Sequence, residues 1–317
     1  MTSPHPIWSI IAILLGALTI AGGLPWVERR VLALFQDRYG PNRVGPFGVL
    51  QTLADAIKMF TKEDWVPPFA DKAVFICAPA VLLVTVLLSF SVIPVAPGIV
   101  VDDLNIALLF FLGMSSLGVY SIVLAGWSSD NKYALLGAMR GAAQMLSYEV
   151  FMGLSLMGTV LLAGSFDFVR IVEAQRHLWF IVPQFAGFVL FLIAGLAETR
   201  RIPFDLPEAE SELIAGYHAE YSGMKFGMFF IGEYLGITLI SSIVATVFLG
   251  GWLGPWLPPI LWFLIKMSAC IGFFILLRAA LPRPRFDQLM ALGWKLMLPL
   301  ALVNLLATGA VVLAWRL

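Results

Sequence analysis

Long apolar runs constrain the fold of this 317-residue chain more than any other feature. A transmembrane α-helix needs about 20 predominantly apolar residues, and eight runs reach that length. They cover, approximately, residues 6–26, 73–95, 104–126, 135–163, 178–197, 224–249, 259–281 and 289–315. Because lipid cannot hydrogen-bond to exposed backbone groups, such runs cross a membrane as helices and not as an open sheet. The sequence therefore predicts an all-α polytopic membrane protein, a single integral membrane domain with about eight transmembrane helices.

The composition agrees with this class and argues against several functions. Only 13% of the residues are charged, against about 25% in a soluble domain. The net charge is zero, so nothing indicates a nucleic-acid partner. Cys77 and Cys270 each stand alone in an apolar run, and the three histidines show no paired spacing. Since iron–sulfur clusters and haem need grouped ligands, we expect no metal site and no redox centre in this chain.

The positive charges predict how the chain lies across the membrane. Four inner loops would share one side, at residues 27–72, 127–134, 198–223 and 282–288. With the charged ends of the adjoining spans, that side holds 16 of the 20 lysines and arginines, and the other side holds 3. Cytoplasmic loops carry such an excess of positive charge. We therefore expect a bacterial inner membrane with both termini in the periplasm; the mitochondrial inner membrane is the alternative.

The first inner loop contains a predicted amphipathic helix at residues 47–61, where apolar side chains recur at helical spacing opposite a polar stripe. The apolar positions are Phe47, Leu50, Leu53, Ala54, Ile57 and Phe60, and the polar ones are Gln51, Asp55, Lys58 and Lys62. Such a helix lies at the membrane surface or beneath a partner protein. Gly-Pro pairs at residues 40–41 and 45–46 predict a compact turn before it.

Arginines surround this turn. Arg29, Arg38 and Arg43 have two interpretations: they shape a polar pocket, or they only mark the inner side of the membrane. For Arg30 the second interpretation is preferred.

Six carboxylates crowd into the loop between the fifth and sixth spans. They are Glu198, Asp205, Glu208, Glu210, Glu212 and Glu220, and the arginines among them are Arg200 and Arg201. Asp205 and Glu208 have the spacing of a capping pair, which predicts a short helix in this loop. Capping does not explain the other glutamates, and Glu208 and Glu212 would repel each other one helical turn apart. We therefore expect raised pKa values here, as proton-transfer groups require.

Glu149, Glu233 and Lys266 lie inside predicted spans, beyond the charged inner ends of those spans. An ionised carboxylate at mid-bilayer costs at least about 2.5 kcal/mol, so Glu149 and Glu233 must face protein or water. Both are candidates for proton transfer, and a neutral, hydrogen-bonded carboxylic acid is the alternative for Glu149. Lys266 lies near the outer end of its span, where it either extends to the outer surface or has a function.

Two segments of the sequence resemble a known family. Residues 28–64, with the Gly-Pro turn, and residues 197–234, with the motif PFDLPEAESE, are similar to the quinone-pocket membrane subunit of respiratory complex I. The likeness extends through residues 283–295, and membrane-bound hydrogenases carry diluted versions of both segments. Two positions depart from the family pattern: Ala209 stands where glycine is common, and Lys225 stands where proline often precedes Phe226.

The resemblance implies a function in proton-pumping NADH:quinone oxidoreductase. In that family this membrane subunit forms the quinone entrance and part of the quinone chamber beneath the soluble arm, and it couples quinone reduction to proton translocation. The implied substrate is a quinone, with ubiquinone the expected form, while flavin and iron–sulfur clusters lie in partner subunits. The implied partners are the soluble-arm iron–sulfur and quinone-pocket subunits, small membrane subunits, antiporter-like subunits and membrane lipids.

The resemblance also implies roles for individual residues. The implied quinone-binding residues are Arg29, Arg38, Arg201 and Phe226. The implied proton path consists of Glu149, Glu198, Asp205, Glu208, Glu210, Glu212, Glu220 and Glu233. The alternatives are the equivalent subunit of a membrane-bound hydrogenase or ferredoxin-linked complex, a stand-alone ion transporter, and a purely structural membrane anchor.

Overall fold

The computed structural model describes residues 6–208 and 210–316, and the α-helices among them form one bundle. They are α1 (Pro6–Phe35), α2 (Gln51–Thr61), α3 (Lys72–Phe90), α4 (Ala107–Ser128), α5 (Lys132–Ala163), α6 (Phe168–Ala174), α7 (Phe185–Glu198), α8 (Glu210–Leu213), α9 (Gly223–Phe248), α10 (Pro259–Ala280), α11 (Phe286–Ala291) and α12 (Leu298–Arg316). A π-helical segment, Leu292–Met297, joins α11 and α12 into one span. The predicted all-α membrane class is confirmed.

Helix α9 lies at the centre of this bundle. It packs against α1, α2, α3 and α10, and its side chains are buried along most of its length. The buried hydroxyls of Thr238, Ser242 and Thr246 donate to carbonyl oxygens one turn earlier in the helix, so they need no outside partner. A helix that is buried on all sides places its one glutamate, Glu233, inside the protein and away from lipid.

Seven helical stretches of the described chain are long and apolar enough to cross a bilayer, and the predicted span at 178–197 differs from them. Its helix begins only at Phe185, so α7 has 14 residues and is roughly 21 Å long at 1.5 Å per residue. Just before it, the buried Gln184 side chain donates to Thr308 Oγ1 (2.6 Å) and accepts from Asn304 Nδ2 (2.9 Å), both in α12. The helix is therefore shorter than the predicted span, and the polar side chain of Gln184 before it has its hydrogen-bond partners inside the protein.

The four predicted inner loops meet at one end of the bundle, where the acidic loop between α7 and α9 contacts the other three. The contacts join Ser222 to the Glu63 carbonyl (2.9 Å), Glu220 to Asn131 (2.7 Å) and Asp205 to Arg283 (3.1 Å). These loops therefore lie at the same end of the bundle. The assignment of that end to the cytoplasm stays a prediction from the positive charges.

The predicted amphipathic helix is confirmed as α2, which begins later than expected. Residues Pro46–Gly48 form a separate 3-10 turn, in which Phe47 has a positive φ of 54°. The apolar side chains of Leu53, Ile57 and Phe60 are exposed, while Asp55 of the polar stripe pairs with Arg29 of α1. An exposed apolar face of this kind suits contact with lipid or with another protein.

The acidic loop contains the predicted short helix, but the predicted capping pair is wrong. Helix α8 begins at Glu210, too far along the chain for Asp205 to cap it, because residues 206–208 form a turn. Asp205 contacts Arg283 instead. Since Glu208 precedes the helix, it does not share a helical turn with Glu212, and the predicted repulsion at that spacing does not apply.

Close backbone contact seats the acidic loop against α5. A Cβ atom on Gly137 would lie 2.7 Å from the Pro207 carbonyl oxygen and 2.8 Å from Gly216 Cα. Gly216 itself has a φ of 58°, and a Cβ atom there would lie 1.8 Å from the same carbonyl oxygen. Only glycine fits such an approach of two backbones. The position of the acidic loop therefore depends on two residues without side chains.

Gly137→Ala should displace the acidic loop, because the added methyl group would overlap backbone atoms. We expect the free energy of unfolding to fall by about 1–3 kcal/mol, as is typical of an overpacked core. The measurement is the thermal unfolding midpoint in detergent, which should be lower than that of the wild type. Gly153→Ala in the same helix is the matched control, since its Cβ atom meets only Leu112 Cδ1, at 3.7 Å. Equal midpoints for the two variants would contradict this account of the loop.

Candidate functional site

A cavity of about 610 Å³ opens between α1, α2 and the start of α9. Pockets that bind small molecules have volumes of about 300–1,000 Å³ and mostly apolar walls with a few polar groups. Arg29 and Phe226, two of the predicted site residues, line this cavity. The wall also includes Pro25, Met59 and Tyr234. The cavity therefore has the size and the lining of a ligand site.

An ion pair orients Arg29 at the cavity wall. Its Nη1 atom lies 2.8 Å from Asp55 Oδ2, and Gln51 Nε2 donates to the other oxygen of that carboxylate at 2.9 Å. The Arg29 side chain is 48% exposed, so its guanidinium keeps donors for a bound molecule. The polar stripe of α2 thus positions a charged group of α1, a role that its amphipathic pattern alone does not reveal.

Lys225, which stands where proline is common in the family, links the start of α9 to the loop that follows α2 through an ion pair. Its Nζ atom lies 2.6 Å from Asp64 Oδ1 and 5.8 Å from the centre of the Phe75 ring. The Phe75 ring stacks on the cavity residue Tyr221, with centroids 4.0 Å apart. Lys225 is nearly buried, so its charge depends on this partner. The lysine therefore supports one wall of the cavity from behind.

Behind the cavity, Glu28 is the centre of a buried charge cluster. The Tyr234 hydroxyl donates to Glu28 Oε2 at 2.7 Å, and Arg278 forms an ion pair with Oε1. Arg201 reaches both Glu28 (3.6 Å) and Glu233 (3.4 Å). Its guanidinium carbon also lies 4.3 Å from the centre of the Tyr234 ring. Because buried ions persist only when they are paired, this cluster explains how α9 carries a glutamate.

The buried charge cluster contains the predicted site residue Arg201 and also Glu28, which was not among the predicted site residues. Arg201, a predicted site residue, does not line the large cavity; it lines a smaller one of about 20 Å³ with Glu28 and Tyr234. Tyr234 lines both cavities and so connects them. The signal for Glu28 is its place beside Arg29, since consecutive helix residues point about 100° apart. When the arginine faces the cavity, the glutamate faces the bundle.

The turn at residues 206–208 brings a second carboxyl group against Glu233. Loss of hydration and the neighbouring Glu233 carboxylate raise the pKa of Glu208 well above its usual value, although Arg200 and Arg201 oppose this. The expectation of a raised pKa in the acidic loop is therefore confirmed for Glu208. A protonated Glu208 supplies the hydrogen of the bond between the two carboxyl groups.

Arg200 and His218 complete this region. Arg200 Nη1 donates to the Tyr217 hydroxyl at 2.8 Å, with the guanidinium carbon 5.4 Å from the centre of that ring. Burial lowers the pKa of His218 to about 4, against the attraction of Glu233. The His218 ring packs against the cavity residue Phe226, with centroids 5.4 Å apart. A neutral imidazole therefore lies directly behind the cavity wall.

A third cavity, of about 50 Å³, lies between α3, α4 and α9 and is lined by Glu198 and Glu233. It is large enough for water, which needs about 10–15 Å³. Ser115 Oγ donates to Glu198 Oε1 at 2.6 Å, and Ser116 Oγ donates to Glu149. With Glu208, the structure thus brings four predicted proton-path carboxyl groups into one interior region.

The other predicted carboxylates lie nearer the surface in local pairs. These pairs join Glu212 to Arg140 (2.6 Å), Glu220 to Asn131 (2.7 Å) and Asp205 to Arg283 (3.1 Å). The hydrogen bond from Arg140 lowers the pKa of Glu212. The Glu210 side chain lies outside the described part of the chain. Arg38 is exposed and donates to Gln36 at 2.7 Å, away from the cavity lining, so its predicted role stays a prediction.

Lys266 extends toward the outer end of α10 without reaching water. Its Nζ atom donates to the carbonyl oxygens of Gly251 (2.9 Å) and Leu253 (2.6 Å) and lies 4.4 Å from the centre of the Trp179 ring. The residue is only 6% exposed. Its head group therefore binds the loop between α9 and α10, and the choice between a lysine that extends to the outer surface and one with a function stays a prediction.

The part of the chain that matches known proteins includes all of these features. Residues 8–309 match the family model described as NADH dehydrogenase. The chain is also 62% identical over 303 residues to a subunit of the NADH-quinone oxidoreductase of Methylococcus capsulatus. That similarity covers 95% of this chain and 96% of the relative. The matched region of the family model includes the large cavity, the buried charge cluster and the acidic loop.

Glu208→Gln should change how stability depends on pH. Since folding raises the Glu208 pKa, the stabilisation is complete below the unfolded pKa and is lost as the pH rises through the folded pKa. Glutamine imitates the protonated form, so the thermal midpoint of the variant should fall less than that of the wild type from mildly acidic to alkaline pH.

Glu212→Gln is the control for this measurement, because the pKa of Glu212 is shifted in the opposite direction. Its stabilisation is lost as the pH falls, so the glutamine variant should keep the alkaline decline of the wild type. An alkaline decline of wild-type size in Glu208→Gln would show that Glu208 is not protonated in the folded protein.

Proposed function

Because the chain belongs to the NADH dehydrogenase family and is one subunit of a multisubunit NADH-quinone oxidoreductase, we propose that it forms the membrane entrance and one wall of the quinone site. We further propose that it couples quinone reduction to proton translocation. The observation that carries the proposal is the cavity lined by Arg29, Phe226 and Tyr234, whose tyrosine hydroxyl binds the buried charge cluster. The partners are other subunits of the same complex, including a soluble arm that carries flavin and iron–sulfur clusters.

The cavity suits both parts of a quinone. The apolar wall from α1 and α9, which includes Pro25, Phe230 and Ile231, fits an isoprenoid tail. Arg29 offers guanidinium donors to a carbonyl oxygen of the head group. Since α2 lies beside the cavity with its apolar face exposed, a quinone enters from the lipid along this helix. The residues of this chain bind and orient the quinone, and partner subunits supply the electrons.

The buried charge cluster links the cavity to the carboxyl groups. Reduction of a quinone to a quinol consumes two electrons and two protons, and negative charge develops beside Tyr234 and Arg29 after the electrons arrive and before the protons are taken up. In a low-dielectric interior such a change acts strongly over several ångströms. It acts on Glu28 and Arg201, and through Arg201 on Glu233. Because Glu233 shares a hydrogen with Glu208, quinone reduction alters which carboxyl group holds the proton.

The alternatives receive less support. The relative from Methylococcus capsulatus is named as an NADH-quinone oxidoreductase subunit, which favours a quinone acceptor over a hydrogenase-type complex. A purely structural anchor gives no reason for Glu149 and Glu233, because carboxyl groups in transmembrane helices are costly and mark functional sites by default. A stand-alone transporter does not account for a cavity of quinone size on the inner side.

Arg29→Ala should impair quinone reduction and leave the soluble arm active. The variant loses a charged donor at the cavity, and such hydrogen bonds contribute about 1.5–3 kcal/mol, or about ten- to a hundredfold in rate or affinity. We expect that loss in NADH:quinone activity of isolated membranes, with unchanged NADH oxidation by an artificial acceptor.

Arg176→Ala is the control for Arg29, because Arg176 is an exposed arginine that pairs with Glu173 away from the cavity. It should keep both activities. Parallel loss of both activities in Arg29→Ala, with the complex absent from the membrane, would assign Arg29 to assembly and not to quinone binding.

Glu149→Gln should uncouple or block proton translocation, because an amide in place of the carboxyl group neither gains nor loses a proton near pH 7. The measurement is the pH gradient formed per NADH oxidised by inverted membrane vesicles. Glu173→Gln, which changes an exposed glutamate at the opposite side, is the control. Wild-type quinone reductase activity and pumping in Glu149→Gln would support the anchor alternative.

A further inference from the structure

Two consecutive serines of α4 bind two carboxyl groups from two different helices. Ser115 Oγ donates to Glu198 Oε1, at the end of α7, at 2.6 Å. Ser116 Oγ donates to Glu149 Oε1 in α5. Because consecutive helix residues point about 100° apart, adjacent positions of α4 can donate hydrogen bonds to two different helices, α7 and α5. The two carboxyl groups are also close enough for their charges to interact.

The Ser116 hydroxyl has a second acceptor in its own helix. Its Oγ atom lies 3.2 Å from the Leu112 carbonyl oxygen, one turn earlier. A hydroxyl carries a single hydrogen, so it donates to one acceptor at a time and accepts with its lone pairs. Ser116 can therefore donate to an ionised Glu149, or donate to Leu112 while it accepts a hydrogen from a protonated Glu149. Both protonation states of Glu149 have a satisfied partner.

Glu198 faces a different environment with its second oxygen. Oε2 is buried and has no hydrogen-bond partner within residues 6–208 and 210–316. The residue lines the 50 Å³ cavity, whose wall also includes Ser115 and Glu233. Glu198 thus has one oxygen fixed by a serine, in a residue that borders a space of water size.

We propose that Ser115 and Ser116 are positioning residues that allow Glu198 to pass a proton to Glu149. This inference rests on the proposed function of the carboxyl groups in proton translocation. In the transfer, the carboxylic acid of Glu198 loses its proton to water in the cavity, and the carboxylate of Glu149 gains one from water. No electrons move, and the total charge of the pair is unchanged.

The serines stabilise the states at each end of this transfer. Ser115 donates to the carboxylate that forms at Glu198, and Ser116 turns from Glu149 to Leu112 when Glu149 becomes protonated. Without the hydroxyls, each ionised carboxylate would lie in the bundle with one hydrogen bond fewer. A hydrogen bond to a charged group changes an equilibrium by about ten- to a hundredfold, so the loss of both should slow transfer severely.

The test uses the complete complex in inverted membrane vesicles with the variants Ser115→Ala, Ser116→Ala and the double variant. We expect the double variant to lower the pH gradient per NADH oxidised about tenfold or more, with unchanged NADH oxidation by an artificial acceptor. Ser115→Thr and Ser116→Thr keep the hydroxyl and should restore pumping. Ser121→Ala is the matched control, because Ser121 is buried in the same helix and donates to the Ala78 carbonyl oxygen (2.7 Å).

Several outcomes would overturn the proposal. Wild-type pumping in the double alanine variant would show that the hydroxyls are not needed, and threonine variants as defective as alanine would assign the serines to packing alone. Glu198→Gln separates this inference from the proposed function. If Glu198→Gln blocks pumping while the serine variants pump normally, only the role of the serines is wrong. If Glu198→Gln also pumps normally, the proposed proton route is wrong.

A spectroscopic measurement gives a readout that does not depend on turnover. The infrared C=O stretching band of protonated carboxyl groups depends on their hydrogen bonds, so the single variants Ser115→Ala and Ser116→Ala should each shift it. Ser121→Ala should leave the band unchanged. An unchanged band in both single variants would contradict the proposed contacts even in a variant that assembles poorly.

Discussion

The bridge that Arg201 makes between Glu28 and Glu233 is the interaction on which the inner half of the bundle depends. It joins a carboxylate of α1 to a carboxylate of α9 through one nearly buried guanidinium from the acidic loop. In the low-dielectric interior of a membrane protein, buried charges such as these persist only when they are paired. The bridge therefore fixes the loop relative to both helices, and the hydrogen bond from Tyr234 to Glu28 adds the wall of the large cavity to the same unit.

This unit separates two spaces of different character. On one side lies the 610 Å³ cavity with apolar walls and an oriented arginine, and on the other lies the 50 Å³ cavity bordered by Glu198 and Glu233. A molecule bound in the first space does not need to contact the second. Charge that develops near Tyr234 acts on Arg201, and the same guanidinium holds Glu233. The geometry thus connects the wall of the 610 Å³ cavity to Glu233 through two ion pairs and one hydrogen bond.

The acidic loop contributes to this connection because its backbone packs closely against α5. Gly137 and Gly216 let the loop backbone rest directly on α5, and that contact sets the place of Glu208 beside Glu233. The loop carboxylates that lie nearer the surface have partners in other parts of the chain, as Glu212 has in Arg140 of α5. One crowded segment therefore contains two kinds of carboxylate. Those turned inward lose hydration and share protons, and those turned outward form ordinary ion pairs with solvent nearby.

The sequence by itself determined the membrane class, the amphipathic helix of the first loop and the presence of carboxyl groups inside spans. These follow from the length and period of apolar runs, which are local properties. Only the tertiary structure decided where α7 begins, that Asp205 contacts Arg283, and that Glu28 faces inward. It also decided which hydroxyl donates to which carboxylate, as Ser115 donates to Glu198. Residues far apart in the chain form these contacts, and their separation depends on how the helices pack.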